Sequence, residues 1–335
     1  MVHSEPLGYS PGSPARMRRA AAALLLLIAL PAAAQPVVWR HGIVAPKSDA
    51  GIVLMPGEGF DAQHGLKLDY VPLQGDPIGF RALLNGEVET YEATAAGAIV
   101  APGRGADVKI IGCHLPGLPH GFFVRAGIDT IADIKGKTIA ISQPGALPDA
   151  LARALLEKSG IKPAEVQFAN LGTDLDRFKA LVAGKVDVAV VSGEFQPIAA
   201  QQGVRMLIAG REVLPDYMRQ CIVTTSKLIS SRRDALVRFV AAEIAGLRHA
   251  VAHRDQALAL TSRITEAKPD DPRAAYIFDD MVKNHAVDPE LSIPLDKLAW
   301  MEDQALKLGD LKTPVDLKTI IDPTIRQDAL ALLGK

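Results

Sequence analysis

A fourteen-residue stretch occurs twice in this chain, at a constant offset of 98 residues. The first copy spans residues 76–89 and the second spans 174–187, and six of the fourteen positions are identical. Each copy has a polar residue that favours a helix start, an apolar helical face, a glycine suited to a left-handed helix end, and the valine of a following strand. Solenoid repeats are shorter, roughly 20–50 residues, so this period indicates two similar lobes with a cleft between them.

The composition is that of a globular protein with room for two domains. The chain has 335 residues, 48% of them apolar, and a formal net charge of −1. This length accommodates two domains of roughly 100–200 residues each. The charges are spread along the chain, with no basic run beyond the N-terminus. Nucleic-acid binding requires a basic patch, so no nucleic-acid partner is expected.

The N-terminus has the pattern of a secretory signal. Basic residues ending at Arg19 precede an apolar run over residues 20–30, and small residues ending at Ala34 follow. We expect cleavage after Ala34, with Met1 or Met17 as the start. A retained membrane anchor is the alternative, but the run is shorter than the ~20 residues that span a bilayer. The mature protein is therefore expected to be soluble and periplasmic.

The chain contains two cysteines, Cys113 and Cys221. They could pair in an oxidising compartment. Free cysteine is among the most buried residue types, so we expect two separate buried thiols instead. Neither cysteine has the spacing partners of a zinc site or a redox pair.

Strand and helix patterns alternate from Val37 to Ile208, which predicts two α/β lobes with parallel sheets and helices on both faces. From Cys221 onward the pattern changes to amphipathic helices. Such a helical tail must pack on a lobe, and we expect it to return to the first.

Ligands of parallel α/β sheets bind at the carboxyl ends of strands, where loops and helix N-termini meet. The candidate ligand-binding residues in and near these loops are Ser48, Asp49, Asp76, Glu92, Thr94, His114, Gln143, Gly145, Thr173, Ser192, Glu194 and Phe195.

Several of these residues have a structural alternative. Ser48 with Asp49, Asp76 and Thr173 each precede a helical pattern and could act only as helix caps. Glu92 is the stronger candidate, because a carboxylate in a small, apolar stretch is costly to bury unless it is paired.

In the second half, Gln143 and Gly145 belong to a loop of small residues whose backbone N–H groups could receive an anion. Glu194 and Phe195 follow the second copy of the repeat, where they could offer a carboxylate and an aromatic wall. His114 and His120 flank a proline-rich loop. A metal site would need a third ligand, so a pH-sensitive contact is favoured there.

Motifs of hydrolases, metalloproteases, P-loop enzymes and dinucleotide-binding enzymes are missing from the sequence. We therefore expect no catalytic residue, no metal site and no cofactor.

Four segments together carry a resemblance to a known family. They are residues 59–66, 82–88, 127–137 and 180–188 with Pro197 downstream. With them the chain resembles the substrate-binding proteins of ABC uptake systems, in particular the NMT1/THI5-like group of sulfonate, taurine, nitrate and thiamine-precursor binders.

This resemblance implies a type II periplasmic binding fold, with two α/β lobes, a central cleft and a C-terminal helical tail. The implied division is a signal segment at 1–34, a first lobe at 36–121 plus 225–335, and a second lobe at 122–224. The implied partners are a small-molecule solute and an ABC permease, and a monomer is expected.

The chain departs from the family pattern in three places. Pro56-Gly57 interrupts a helix that is usually continuous. Glu89 to Glu92 adds negative charge near the cleft. The cysteine cluster of the thiamine-pyrimidine synthase branch is missing, which argues against that enzymatic alternative. An exported sensor domain is a further alternative.

The expected solute is a small organic molecule of the amine, N-heterocycle or pyrimidine, sulfonate or aromatic acid class. Among the candidate loops carboxylates outnumber cations, and Lys47 is the one clear cation. We therefore expect an amine, a hydroxyl-bearing solute or a nitrogen heterocycle rather than nitrate or a simple sulfonate.

Overall fold

The computed structural model describes residues 35–44, 47–268 and 271–334. The predicted signal segment and its cleavage site therefore lie outside the described residues. Within the described residues, no helix has both the length and the apolar character needed to cross a membrane.

The strands are β1 (Val37–Ile43), β2 (Leu66–Pro72), β3 (Thr90–Thr94), β4 (Lys109–Leu115), β5 (His120–Arg125), β6 (Thr138–Ile141), β7 (Gln167–Asn170), β8 (Val188–Ser192), β9 (Val204–Ala209) and β10 (Gln220–Thr224). The helices are α1 (Ala50–Val53), α2 (Phe60–Gln63), α3 (Asp76–Leu84), α4 (Ala95–Gly103), α5 (Leu147–Lys158), α6 (Asp174–Val182), α7 (Gln196–Ala199), α8 (Gly210–Val213), α9 (Ser226–Ala252), α10 (Arg254–Thr265), α11 (Pro272–Lys283), α12 (Leu295–Lys307), α13 (Leu317–Ile320) and α14 (Thr324–Leu332). Turns of 3₁₀ helix lie at Met55–Gly57, Ile131–Ile134, Pro163–Glu165, Gly193–Phe195 and Ala200–Gln202.

The strands form two five-stranded sheets of the same design, in the orders β2-β1-β3-β10-β4 and β7-β6-β8-β5-β9. In the first sheet β1 is parallel to β2 and β3, and β10 is antiparallel to β3 and β4. In the second, β6 is parallel to β7 and β8, and β5 is antiparallel to β8 and β9. The expectation of parallel sheets is therefore correct except at the fourth position. There, each antiparallel strand enters directly after the chain has crossed from the other sheet.

The repeated stretch has the same structure in both copies. Helix α3 begins at Asp76 and α6 at Asp174, and the strands that follow, β3 and β8, are also 98 residues apart. Gly86 and Gly184 have φ angles of +73° and +69°, in the left-handed region that glycine adopts without a steric penalty. The prediction of one helix-to-strand unit used in two lobes is confirmed, except that Val88 and Val186 lie just before strands β3 and β8 rather than within them.

The apolar cores cover both faces of each sheet. On β5, the neighbouring residues Phe122 and Phe123 enter different clusters, because successive side chains of a strand point to opposite faces. In the first sheet, Trp39 packs with the tail helix residue Phe239 in one cluster, and Tyr91 belongs to the other.

The C-terminal helices contact both sheets. Helix α9 lies against β2 and α14, and α12 packs on α4. Helix α11 contacts α10 on one side and α7, which follows β8 of the second sheet, on the other. The tail thus packs largely on the first sheet, with α11 reaching the second.

The predicted interruption at Pro56-Gly57 is present. Helix α1 ends at Val53, a 3₁₀ turn spans Met55–Gly57, and α2 begins at Phe60. Helix α9 passes directly over this break, since a Cβ atom added to Gly246 would lie 2.5 Å from the Cα of Pro56.

The expectation of two separate buried thiols is wrong, because Cys113 and Cys221 form a disulfide. Cys113 lies on β4 and Cys221 on β10, which pairs with β4 through Gln220 opposite Leu115 and Ile222 opposite Gly112. The return of the chain into the first sheet as β10 brings the two residues together.

The strand pairing suggests different lobe boundaries from those expected. Strand β10 (Gln220–Thr224), which the sequence-based division placed in the second lobe, pairs in the first sheet. We propose that the lobes divide between β4 and β5 and between β9 and β10. We call the parts that carry the first and second sheets the first and second lobes.

Candidate functional site

A cavity of about 90 Å³ is lined by both lobes. We call it the polar cavity. Its lining residues come from the segment after β1, the two crossover segments between the lobes, the start of α6, the turn after β8, and helix α11. They are Val44, Lys47, Ser48, Asp49, Pro119, His120, Asp174, Ser192, Glu194, Arg219, Ile277 and Met281.

At the polar cavity, Lys47 and Ser48 of the first lobe each form a side-chain hydrogen bond with the second lobe. The Lys47 Nζ donates to Asp174 Oδ2 at 2.9 Å, and the Ser48 Oγ donates to Glu194 Oε2 at 2.5 Å. Lys47 is largely exposed, with 59% of its side chain accessible, whereas Asp174 is only 13% exposed. The two lobes are thus joined by polar contacts at the wall of the polar cavity.

Asp174 is the most strongly held carboxylate of the cavity. Its Oδ1 accepts hydrogen bonds from Arg177 Nη2 at 2.6 Å and from the backbone N–H of Ser192 at 3.1 Å. Burial alone would raise the pKa of Asp174. Interactions with Lys47, with Arg177 and with His120, which is protonated in the acidic range where Asp174 titrates, outweigh burial and lower the pKa to about 2. Asp174 is therefore ionised at neutral pH.

Asp49 pairs with a cation that the sequence analysis missed. Arg219 donates its Nη2 to Asp49 Oδ2 at 3.1 Å. Burial opposes ionisation of Asp49, but the charge of Arg219 and nearby hydrogen bonds outweigh it, so its pKa is lowered. The Arg219 Nη1 is buried and has no hydrogen-bond partner among the described residues, and Arg219 lines the polar cavity.

Glu194 and His120 complete the titratable groups of the cavity. Burial raises the pKa of Glu194, and the hydrogen bond from Ser48 offsets this only in part. Burial also lowers the pKa of His120 to about 4, against the opposing charge of Asp174. The His120 Nε2 lies 4.0 Å from Asp174 Oδ1, and its buried Nδ1 has no partner among the described residues. His120 is therefore a neutral ring at pH 7.

Asp76 is the counterpart of Asp174 in the first copy of the repeat. Its Oδ1 accepts from the backbone N–H of Thr94 at 3.2 Å and from the Tyr91 hydroxyl at 3.0 Å, and its Oδ2 accepts from the Thr94 hydroxyl. Gly75 is the N-cap of α3, so the interpretation of Asp76 as the cap is corrected. Asp76 instead ties α3 to the start of α4, where Thr94 is the N-cap.

Glu92 and His114 form a buried pair beneath the polar cavity. Glu92 was expected in a loop, but it lies within β3, where burial requires a partner. Its Oε1 lies 2.7 Å from His114 Nε2, and its Oε2 accepts from the backbone N–H of Val44 at 3.2 Å. Neither residue lines the cavity, and Glu92 supports it through Val44.

The remaining candidates lie away from the polar cavity. Gln143 is exposed, and Gly145 lines a different cavity. Thr173 is the N-cap of α6 in a capping box with Asp176, as its sequence pattern indicates. Phe195 is 1% exposed and stacks on Phe178 at 4.4 Å between ring centroids, so it belongs to the core rather than to a cavity wall.

The polar cavity therefore brings together four of the twelve candidates, Ser48, Asp49, Ser192 and Glu194. Sequence reasoning missed Arg219 and the apolar residues Ile277 and Met281, which come from a crossover segment and from the tail. No local pattern marks these three. Lys47, His120 and Asp174 did stand out, as a loop cation, as a histidine beside a proline-rich loop and as a residue at a helix start, but they were not chosen.

Comparisons with known proteins agree with this architecture. Residues 48–257 match the family described as NMT1/THI5 like. No curated protein matches the chain. The fold is similar to that of the periplasmic aliphatic sulphonate binding protein SsuA of Escherichia coli, with a TM-score of 0.69 at 20% identity over 87% of this chain and 99% of that one.

Two further solved structures are similar at low identity. One is a putative periplasmic sulfonate-binding protein SsuA from Methylobacillus flagellatus, with a TM-score of 0.71 at 16% identity over 90% of this chain and 96% of that one. The other is a cysteine-to-serine mutant of the desulfurization enzyme DSZB in complex with biphenyl-2-sulfinic acid, with a TM-score of 0.68 at 17% identity over 88% of this chain and 99% of that one. These likenesses establish a two-lobed type II periplasmic binding fold.

Proposed function

Because the chain belongs to the NMT1/THI5-like family, we propose that it is the extracytoplasmic solute-binding receptor of an ABC-type uptake system. Its two lobes close on a small organic solute, which is then delivered to a membrane permease. The predicted secretory signal supports a periplasmic location. The observation that carries the proposal is the polar cavity, whose ionised and hydrogen-bonding side chains come from both lobes.

Closure follows from where the contacts lie. A solute that touches side chains of both lobes gains its full set of contacts only when the lobes are together, so it shifts the population toward the closed state. Lys47 and Ser48 already bond to Asp174 and Glu194 across the cleft. A solute bound there therefore either adds to these contacts between the lobes or replaces them.

The pairing of charges refines the expected solute class. The sequence favours an amine, a hydroxyl-bearing solute or a nitrogen heterocycle, because carboxylates outnumber cations in the candidate loops. Asp49 and Asp174 are each bonded to a cation, and the Arg219 Nη1 has no hydrogen-bond partner among the described residues. We propose a solute that combines a hydrogen-bond donor for Glu194 with an acceptor for Arg219. A sulfonate or carboxylate oxygen is one such acceptor.

The size of the polar cavity limits what it alone can hold. At about 90 Å³ it is smaller than the ~300–1,000 Å³ of pockets that enclose drug-sized ligands. It accommodates a compact polar group. A larger solute would have to extend into a neighbouring part of the cleft.

The test is a thermal-shift screen of the mature protein against amines, pyrimidines, aromatic acids and sulfonates, followed by calorimetry. A bound solute should raise the melting temperature as linkage requires. Replacing Glu194 with glutamine should weaken binding of that solute about tenfold, the equivalent of ~1.4 kcal/mol for one charge-assisted hydrogen bond.

The matched control is Glu87→Gln, which changes an exposed glutamate outside the polar cavity. It should leave the affinity unchanged. Equal affinity in the wild type and the Glu194→Gln variant would place the solute elsewhere. Recovery of a chemically altered solute would rule out a receptor without turnover.

The likeness to a desulfurization enzyme raises an enzymatic alternative. Both cysteines of this chain are in the disulfide between Cys113 and Cys221. Neither offers a free thiol as a nucleophile. We therefore propose binding without turnover, and recovery of the solute unchanged after prolonged incubation is the expected result.

A further inference from the structure

A second cavity, of about 190 Å³, lies beside α4, α5, α12 and the segment that leads into β10. We call it the apolar cavity. Its wall includes the apolar and aromatic side chains of Leu147, Ala150, Leu214, Tyr217, Trp300 and Met301, together with the charged or polar side chains of Arg153, Glu157, Gln304 and Asp310. Leu147 and Ala150 belong to the second lobe, and Trp300 and Met301 belong to the tail helix that packs on α4 of the first lobe. Like the polar cavity, the apolar cavity is therefore bounded from both sides of the cleft.

We infer that the apolar cavity binds a single aromatic ring carried by the solute. This inference rests on the proposed function and extends it to the apolar part of the ligand. The size is suitable, because an apolar cavity of about 150 Å³ is known to accept benzene, and this one is about 190 Å³. It is too small to enclose a drug-sized molecule.

The lining suits an aromatic group. The rings of Tyr217 and Trp300 meet edge to face, with centroids 6.4 Å apart and an interplanar angle of 69°. A third ring can add to such a pair by stacking or by an edge contact. The Tyr217 hydroxyl and the Trp300 indole N–H donate no hydrogen bond to another described residue. A mostly apolar wall with a few polar groups is typical of ligand sites.

The two cavities are close along the chain. Tyr217 lines the apolar cavity and Arg219 lines the polar cavity. Two residues span at most about 7 Å of extended chain, so these side chains start from neighbouring points. A solute with a polar group at Arg219 and a ring at Tyr217 would contact adjacent side chains of one segment. The polar cavity would hold the compact polar group, and the apolar cavity would hold the ring.

The first test uses fluorobenzene as the probe and ¹⁹F NMR as the readout. The ¹⁹F signal should broaden on addition of the wild-type protein. Ala150→Phe places a ring into the cavity and should weaken fluorobenzene binding at least tenfold. The matched control is Ala331→Phe, which puts the same side chain at an exposed position of α14. This control should bind fluorobenzene like the wild type.

A second readout avoids any substitution. The chain has two tryptophans, and Trp39 is fully buried in the core whereas Trp300 is partly exposed in the cavity wall. Fluorobenzene should therefore change the emission of Trp300. No broadening and no change of emission with the wild-type protein would overturn the inference. Unchanged binding by a folded Ala150→Phe variant would also overturn it.

Pairs of solutes that differ only by a ring separate this inference from the proposed function. Benzylamine is compared with methylamine, and benzenesulfonate with methanesulfonate, by calorimetry. The ring-bearing member of a pair that binds should do so at least tenfold more tightly. Equal binding within a pair would leave the receptor proposal intact and overturn the inference. Fluorobenzene binding that Ala150→Phe abolishes, with no binding of any of the four, would support the ring site and count against the proposed polar groups.

Discussion

Replacing His120 with glutamine should reduce the dependence of stability on pH between about pH 6.5 and pH 4. The side chain of His120 is only 15% exposed. Burial lowers its pKa from the ordinary 6.5 to about 4, although Asp174 opposes the shift. The unfolded chain therefore takes up a proton first as the pH falls. The stabilisation is fully present above pH 6.5 and is lost as the pH falls toward 4.

The expected magnitude follows from the size of the shift. A difference of about 2.5 pKa units corresponds to about 3 kcal/mol, at 1.36 kcal/mol per unit. That is a large part of the ~5–15 kcal/mol that stabilises a typical protein. Burial and, next, the charge of His114 lower the pKa of His41 to about 3. His41 therefore also makes the protein less stable as the pH falls. The variant keeps the contribution of His41 and loses that of His120.

The assay is urea unfolding of the wild type and His120→Gln at several pH values across this range. The difference in free energy of unfolding between the two proteins should change by about 3 kcal/mol from the top of the range to the bottom. His253→Gln, at an exposed position between α9 and α10, serves as the control and should follow the wild type. Parallel pH profiles for the wild type and His120→Gln would refute the reasoning, because the ring would then be equally easy to protonate in both states.

Three further predictions concern stability. Replacing both Cys113 and Cys221 with alanine should lower the free energy of unfolding by about 3–5 kcal/mol, since the disulfide closes a loop of 108 residues, and thiol titration of the denatured wild type should find no free thiol. Gly79→Ala should cost about 1–3 kcal/mol in urea unfolding, because the added Cβ would lie 2.1 Å from the Tyr91 ring. Phe195→Ala should cost about 3–5 kcal/mol as a core truncation and leave the solute affinity of the folded protein unchanged in calorimetry, whereas a loss of affinity would return Phe195 to the site.

The elements that could be predicted from the sequence are those with local signals. Gly86 and Gly184 end their helices in the left-handed conformation, and Thr173 caps α6 through its own side chain. These features depend on a few neighbouring residues, so a single sequence shows them. The repeat was informative for the same reason, because both copies carry the full local pattern. It did not show the contacts that Asp76 and Asp174 make with the ends of the following strands, because both residues were interpreted as helix caps.

Features made by distant segments could not be predicted in this way. The disulfide depends on β10 entering between β3 and β4, and no residue near Cys221 indicates that neighbour. Arg219 lines the polar cavity because it lies just before the same strand. Ile277 reaches the cavity from the tail, since α11 contacts both α10 and α7. In each case the decisive information is which segments become neighbours, and that is fixed by packing over the whole fold.

The solute class inferred from the loop charges is affected because the sequence does not show which charged residues become neighbours. The sequence indicated an excess of carboxylates, and an amine-binding site followed from it. In the structure Asp174 and Glu194 take partners from the opposite lobe, so a donor on the solute must compete with Lys47 or Ser48. The Arg219 Nη1 has no hydrogen-bond partner among the described residues. An acceptor group therefore gains a charge-assisted hydrogen bond without breaking one between described residues, while a donor group must displace Lys47 or Ser48. On this argument the acceptor, rather than the amine, is the first requirement that the site places on its solute.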